Sequence, residues 1–313
     1  MRKVCLDVVY ELAKTDERIV FLGSDLGVGT LKQFKKEMPD RFFMEGVSEA
    51  HLVGMAAGMA LEGKIPYINT IATFLTRRCF EQNVLDLGLH NLNVRLIGNG
   101  GGVVYAPLGP THLAIDDLAI MRSIPNMTVI AVADAEEMRR MMPHTVNHRG
   151  PIYIRLAKGN DPIVTDNVPF EIGKAIVVRP GRDVLIVTTG ITLKLAREAV
   201  DILAAQGIDV AILHMPTVKP FDKENFLDMA SRVPAIVVIE EHSVIGGLGS
   251  AAAEVLAEAN FPQGKLFKRI GVSDVFPSRY GSQNSLMADC GISTPHLVNA
   301  VRNLLQISQN LMV

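Results

Sequence analysis

Residues 42–63 read FFMEGVSEAHLVGMAAGMALEG. A short apolar run passes through Glu45 to Gly46, and a helix then opens on a second acid, Glu49. Along that helix the small residues Ala56, Ala57, Gly58 and Ala60 recur, which lets its backbone approach a partner closely. Ser48 and Glu49 suit a first turn, Ser48 by capping and Glu49 by its charge at the positive end of the helix dipole. An acid in front of so apolar a helix is also unusual for a core element, and the rest of the chain bears on which reading holds.

Strands and helices alternate on both sides of this run. Before it stand an amphipathic helix over Arg2–Lys14 and a buried strand over Ile19–Gly23. That strand ends in Ser24, Asp25 and Leu26, followed by Gly27 and Gly29, and Leu31–Glu37 is a short helix. After it come a strand over Ile65–Ile71, a mostly helical stretch over Thr73–Asn91, a strand over Val94–Ile97 and the glycine-rich GNGGGVVYAPLGPTH at 98–112. A helix over Ile115–Ser123, a strand over Thr128–Ala131, a helix over Ala135–Asn147 and a strand over Ile152–Leu156 complete the first half. Three prolines between Asp161 and Gly181 mark a linker that holds one short strand, Ala175–Val178. A second alternation follows, with strands over Val184–Thr188, Asp209–Leu213, Ala235–Ile239 and Lys265–Ile270. Its helices span Ile191–Gln206, Glu224–Ser231, Gly249–Ala259 and Pro295–Gln306. This rhythm predicts an α/β chain of two doubly wound, mainly parallel-sheet domains, residues 1–165 and 183–313, joined by a linker at 166–182.

Composition narrows the function. The 313 residues are 48% hydrophobic and 20% charged with a net charge of −2, which offers no basic surface for nucleic acid or membrane. Cys5, Cys79 and Cys290 are too scattered for a disulfide framework or a metal site and fit a reducing cytosol. No apolar run reaches the roughly 18 residues of a spanning helix.

Three stretches resemble glycine-rich cofactor loops. Gly246–Ala252, GGLGSAA, follows a strand and opens a helix, but Glu240, Glu241 and His242 intervene. Their carboxylates would repel a pyrophosphate and the turn is too long, so close backbone packing is the better reading. Gly23–Gly29 has no basic residue beside it. The 98–112 loop has no P-loop lysine and reads as an active-site loop. His112 precedes a helix, Arg77 and Arg78 suit a solvated helix face, and Arg155 and Lys158 stand at a strand's carboxyl end, where an anion could bind.

Taken in order, GSDL at Gly23–Leu26, GVSEAHLVGMAAGMAL at Gly46–Leu61, TF at Thr73–Phe74, GPTH at Gly109–His112, MRSIPNMTVIAVAD at Met121–Asp134, MPTVKPFD at Met215–Asp222 and IEEHSVIGGLGSAAAEVL at Ile239–Leu256 resemble the thiamine-diphosphate enzymes of the transketolase family. The resemblance covers the pyrimidine-binding and C-terminal domains and omits the family's N-terminal domain. It therefore implies the C-terminal subunit of a split transketolase. The partner would be an N-terminal subunit carrying the diphosphate and Mg2+, in an assembly with two copies of each chain. It implies that Glu49 is the acid facing N1′ of the aminopyrimidine. Phe74 and Phe80 would form the aromatic wall, Asp25 and Leu26 would line the cofactor channel, and His112 would lie near the reacting centre. Ser24, Arg77, Arg155 and Lys158 become candidate substrate contacts. No metal ligand is expected in this chain.

The sequence departs from the sugar-phosphate pattern at Gly100, where the family has a substrate-contacting histidine, and at Leu108, where it has an aspartate. Lys158 replaces an arginine, and Arg77 is like the arginine of deoxyxylulose-phosphate synthases. The expected activity is transfer of a two-carbon ketol unit from a ketose to an aldehyde. The alternatives are a decarboxylating carboligase, a 2-oxoacid dehydrogenase beta subunit, or a non-catalytic dimerising subunit.

Overall fold

The computed structural model describes residues 1–24, 31–157, 159 and 161–311. They form two sheets, with strand orders β10-β5-β6-β4-β3-β1-β2 and β12-β11-β8-β9-β7. In the first, β1 (Ile19–Gly23), β2 (Phe42–Met44), β3 (Ile65–Ile71), β4 (Arg95–Asn99), β5 (Thr128–Ala131) and β6 (Ile152–Leu156) all run parallel. In the second, β8 (Val184–Thr188), β9 (Val210–His214), β11 (Ala235–Ser243) and β12 (Leu266–Val272) are parallel and β7 (Ile176–Arg179) is antiparallel.

Successive strand residues point to opposite faces, so each sheet needs a hydrophobic layer on both sides. Phe21, Tyr67, Ile97, Ile130 and Ile154 pack against α1 (Arg2–Thr15), α2 (Lys32–Glu37) and α6 (Ala135–Val146). Their neighbours Leu22, Ile68, Leu96, Val129 and Tyr153 pack against α3 (Glu49–Leu61), a helical stretch over 74–89 whose central turn is α4 (Phe80–Gln82), and α5 (Asp117–Ser123). The second sheet repeats the arrangement with α7 (Thr192–Ala204), α10 (Gln283–Asp289) and α11 (Thr294–Leu311) on one face, and α8 (Lys223–Ser231) and α9 (Leu248–Glu258) on the other. Each fully buried aliphatic or aromatic side chain in these layers contributes about 1.5–3 kcal/mol. No helix among the described residues is long and apolar enough to cross a membrane.

Three elements differ from the sequence reading. β10 (Thr217–Lys219) follows the second sheet's β9 in the chain yet pairs antiparallel with β5 of the first. α10 lies where the sequence pattern predicts no helix, and its start is fixed by a capping box between Ser282 and Ser285. β11 continues through Glu240, Glu241 and His242, all buried.

Candidate active site

Several of the candidate residues gather along the carboxyl edge of the first sheet, where open parallel sheets bind ligands. The strand order reverses between β1 and β3. At that point Ser24, just past β1, shares a 2.8 Å hydrogen bond with Thr70 of β3, and both are buried. Asn99, at the end of β4, extends this polar row by donating to Asn69 Oδ1 at 2.7 Å and to the Thr70 carbonyl at 2.9 Å.

Glu49 is the first residue of α3 and only 2% exposed. Ser48 occupies the cap position, but its hydroxyl donates to the Glu45 carbonyl at 3.0 Å and makes no cap hydrogen bond, contrary to the capping expectation. The surroundings of Glu49 are not wholly apolar. Its Oε2 accepts a 2.6 Å bond from Nη1 of Arg78, whose side chain remains 46% exposed. Arg78 is thus half-exposed but paired to a buried acid, and its guanidinium carbon also lies 4.3 Å from the Phe74 ring centroid. The His112 ring meets Phe74 edge-on at 5.1 Å, and Tyr105 meets His112 at 6.5 Å. Acid, guanidinium, phenyl and imidazole thus form a continuous row.

Phe74–Arg78 and Asn83–Leu89 are π turns. A widened helix leaves carbonyls without their usual partners, and short side chains fill in. Thr76 Oγ1 donates to the Ala72 carbonyl at 2.8 Å, Cys79 Sγ to Phe74 at 3.3 Å and Asn83 Nδ2 to Leu75 at 2.9 Å. Burial, reinforced by the Glu49 charge, pushes the Cys79 thiol up to about 12, which favours its protonated form. The same turn sends Arg77 elsewhere. Its Nη2 donates to the Leu113 carbonyl at 3.2 Å and its Nε lies 3.7 Å from Asp116.

Not every expected residue joins the row. Phe80 is 40% exposed on α4, and among the described residues the ring contacts of Phe74 are with His112 and Arg78. Arg155 is buried between the sheets. Its Nε pairs with Asp117 at 2.9 Å, and Nη2 donates to the carbonyls of Ala114 and Glu241 at 3.2 and 2.6 Å. With those donors engaged inside the protein, Arg155 is a strut and not a surface anion contact. Asp25, Leu26 and Lys158 lie outside the described residues. The GGLG turn is occupied by protein: Glu240 accepts from the N–H groups of Leu248 and Gly249 at 2.7 and 2.8 Å, where a pyrophosphate would have to sit. Sequence reasoning misses Arg78 because its partner lies 29 residues away. The available signal is its i,i+4 spacing from Phe74, which places both side chains on one helix flank.

Two family models match, "Transketolase, pyrimidine binding domain" over residues 1–162 and "Transketolase, C-terminal domain" over 173–297. The chain belongs to the transketolase family. It is 40% identical to the 6-deoxy-6-sulfo-D-fructose transketolase subunit SqwH of Clostridium sp. (strain MSTE9), over 97% of this chain and 94% of that one. It is 36% identical to an apulose-4-phosphate transketolase subunit of Phocaeicola vulgatus, over 87% of each. A solved structure titled "Split gene transketolase, inactive beta4 tetramer" superposes with a TM-score of 0.88 at 37% identity, covering 97% of both chains. These relatives are named as subunits or as the product of a split gene, which is the layout that the motif order from GSDL to IGGLGS implied. The family depends on thiamine diphosphate, and the split relatives imply a partner subunit.

Proposed function

We propose that this chain supplies the aminopyrimidine half of a thiamine-diphosphate site, while a separate N-terminal subunit holds the diphosphate and Mg2+. The observation that carries the reading is the row Glu49–Arg78–Phe74–His112 on the carboxyl edge of the first sheet. These residues fit the group. A buried carboxylate matches a ring nitrogen that needs a proton, and a phenyl face matches a flat heterocycle, a contact worth roughly 0.5–1.5 kcal/mol beyond its area. When bound, thiamine diphosphate supplies the nucleophilic carbon that accepts the two-carbon unit. Glu49 holds the proton at N1′ of the pyrimidine, and Phe74 fixes the plane of that ring. His112, whose Nδ1 lies 2.9 Å from Thr111 Oγ1, keeps Nε2 to exchange a proton with a substrate hydroxyl.

The named sugars of the two relatives both end in a strong anion, a sulfonate or a phosphate. We assign this chain a ketose donor of that class, with Arg77, oriented by Leu113 and Asp116 and still 34% exposed, as the cation that meets the anion. The α3 face carrying Gly54 and Gly58, where a Cβ would meet open space, suits contact between two copies of this chain. The three free cysteines favour the cytoplasm.

The test mixes this chain with the product of the neighbouring gene, Mg2+ and thiamine diphosphate. 6-Deoxy-6-sulfo-D-fructose, apulose 4-phosphate or fructose 6-phosphate serves as donor and glyceraldehyde 3-phosphate as acceptor. Ketol transfer is expected in the mixture and in neither chain alone. Carbon dioxide release from pyruvate without ketol transfer would instead establish the decarboxylating alternative.

A further inference from the structure

The segment that carries His112 is held from both sheets. Four successive carbonyls each accept a bond: His112 from Thr73 Oγ1 at 3.2 Å, Leu113 from Arg77, Ala114 from the Gly102 N–H at 3.0 Å and from Arg155, and Ile115 from the Ser243 N–H at 2.7 Å. The Ala114 N–H returns a 2.9 Å bond to Gly102. The position of His112 therefore depends on where residues 100–103 lie.

The start of the loop is held by the first sheet, Gly100 and Gly101 both donating to the Leu156 carbonyl at 3.0 and 2.9 Å, and its far end is held by one buried acid of the second sheet. Glu241, 3% exposed on β11, accepts from the Val103 N–H at 2.9 Å and from Gln283 Nε2 at 2.9 Å through the same oxygen. Its own carbonyl is held by Arg155 at 2.6 Å. Gly102 has φ +65°, and a Cβ there would run into the Glu241 carboxyl group. Gly101 is barred from a side chain by Arg155 in the same way, and Gly100 by the Tyr105 ring. The triple glycine thus lets the loop close on Glu241, Arg155 and Tyr105. Val103, Ala106 and Leu113 are buried in the hydrophobic layer of the second sheet, so the loop is seated on the element that Glu241 extends.

We propose that Glu241 is a positioning residue for ketol transfer: by accepting the Val103 N–H it sets the 102–105 end of the loop and, through the Gly102–Ala114 bridge, the place of His112. This rests on His112 acting in the reaction as proposed above.

The test uses the full chain with its partner and compares Glu241→Gln with Glu241→Met. Both fill the space, but only glutamine keeps an acceptor for Val103. Glu241→Gln is expected to retain turnover within about threefold. Glu241→Met is expected to lose about 10–100-fold in kcat with little change in KM, since small misplacements of a catalytic group cost up to about 100-fold. Placed on a His112→Ala background, Glu241→Met should add almost nothing, because its effect passes through His112. Hydrogen exchange provides a readout without substrate: Val103 and Ala114 should exchange faster in Glu241→Met, while the Ala133 amide, held by Glu137 at 2.6 Å, stays unchanged. Equal turnover and equal exchange in the two variants would overturn the inference. So would a full additional loss in the His112→Ala background. If His112→Ala itself kept full turnover while Glu241→Met still freed the loop, the reading of His112 would fail and the loop contact would stand.

Discussion

Two ionic clusters lie near each other on the carboxyl side of the first sheet and do different work. In the Glu49–Arg78 pair the acid is buried and the arginine side chain is 46% exposed. In the Asp117–Arg155 pair both partners are sealed, and Tyr153, Ala114 and Glu241 join the network. A buried ion pair is costly to form and costlier to break, because removing one partner strands the other charge. A pair open on one side can exchange its partner for a ligand. The open ionic contact stands at the edge proposed to react, and the closed ionic contact belongs to the scaffold behind it.

Arg155→Met gives the largest separation between the two clusters. It leaves Asp117 buried without its cation and should lower stability by about 3–5 kcal/mol, read as a fall in thermal midpoint. A loss under about 1 kcal/mol would show that the buried pair is not the scaffold.

The pH dependence of Glu241 comes next. Burial pushes its carboxyl up to about 7 against the pull of Arg155, with Asp117 adding to the rise. The Cys290 thiol also lies within reach of the Glu241 charge. A carboxyl raised on folding binds its proton more tightly folded than unfolded. That stability is complete below the ordinary carboxyl range and is lost as pH climbs through about 7. Between pH 5 and pH 8 the wild type should therefore lose about 1–3 kcal/mol relative to Glu241→Gln. Parallel stability curves for the two proteins would contradict it.

Arg78→Ala is the smallest change in stability and the sharper one in function. The open side of the pair moderates the cost of leaving Glu49 without its cation, so melting should shift by about 1–2 kcal/mol, less than for Arg155→Met. Turnover of the assembled enzyme should nevertheless fall about tenfold, through loss of the contacts to Glu49 and Phe74. Matching losses for Arg78→Ala and Arg155→Met, in both stability and turnover, would erase the distinction between the clusters.

Much of the fold was legible because it rests on local pattern. Alternating apolar strands and amphipathic helices give both sheets, and β1, β3, β5, β6 and β8 fall where the apolar runs predict them. β10 was not legible: three residues carry no period, and their partner β5 lies on the other sheet. The charged end of β11 read as a loop because ionisable residues are seldom buried without partners. Those partners, Val103, Gln283 and the start of α9, come from distant or later segments. At the candidate site, Arg78 links Glu49 to Phe74, and Phe74 meets His112. The arginines were not legible, because the use of Arg78 or Arg155 depends on what stands opposite it. Sequence spacing records the cation and leaves out the acid that meets it.

The most direct measurement is turnover of Glu49→Gln in the enzyme reconstituted with its partner, alongside calorimetric binding of thiamine diphosphate. Cofactor binding should persist while ketol transfer falls ~10²–10⁴-fold. Full turnover in the variant would contradict the role of Glu49 and, with it, the assignment of the row as half of the active site.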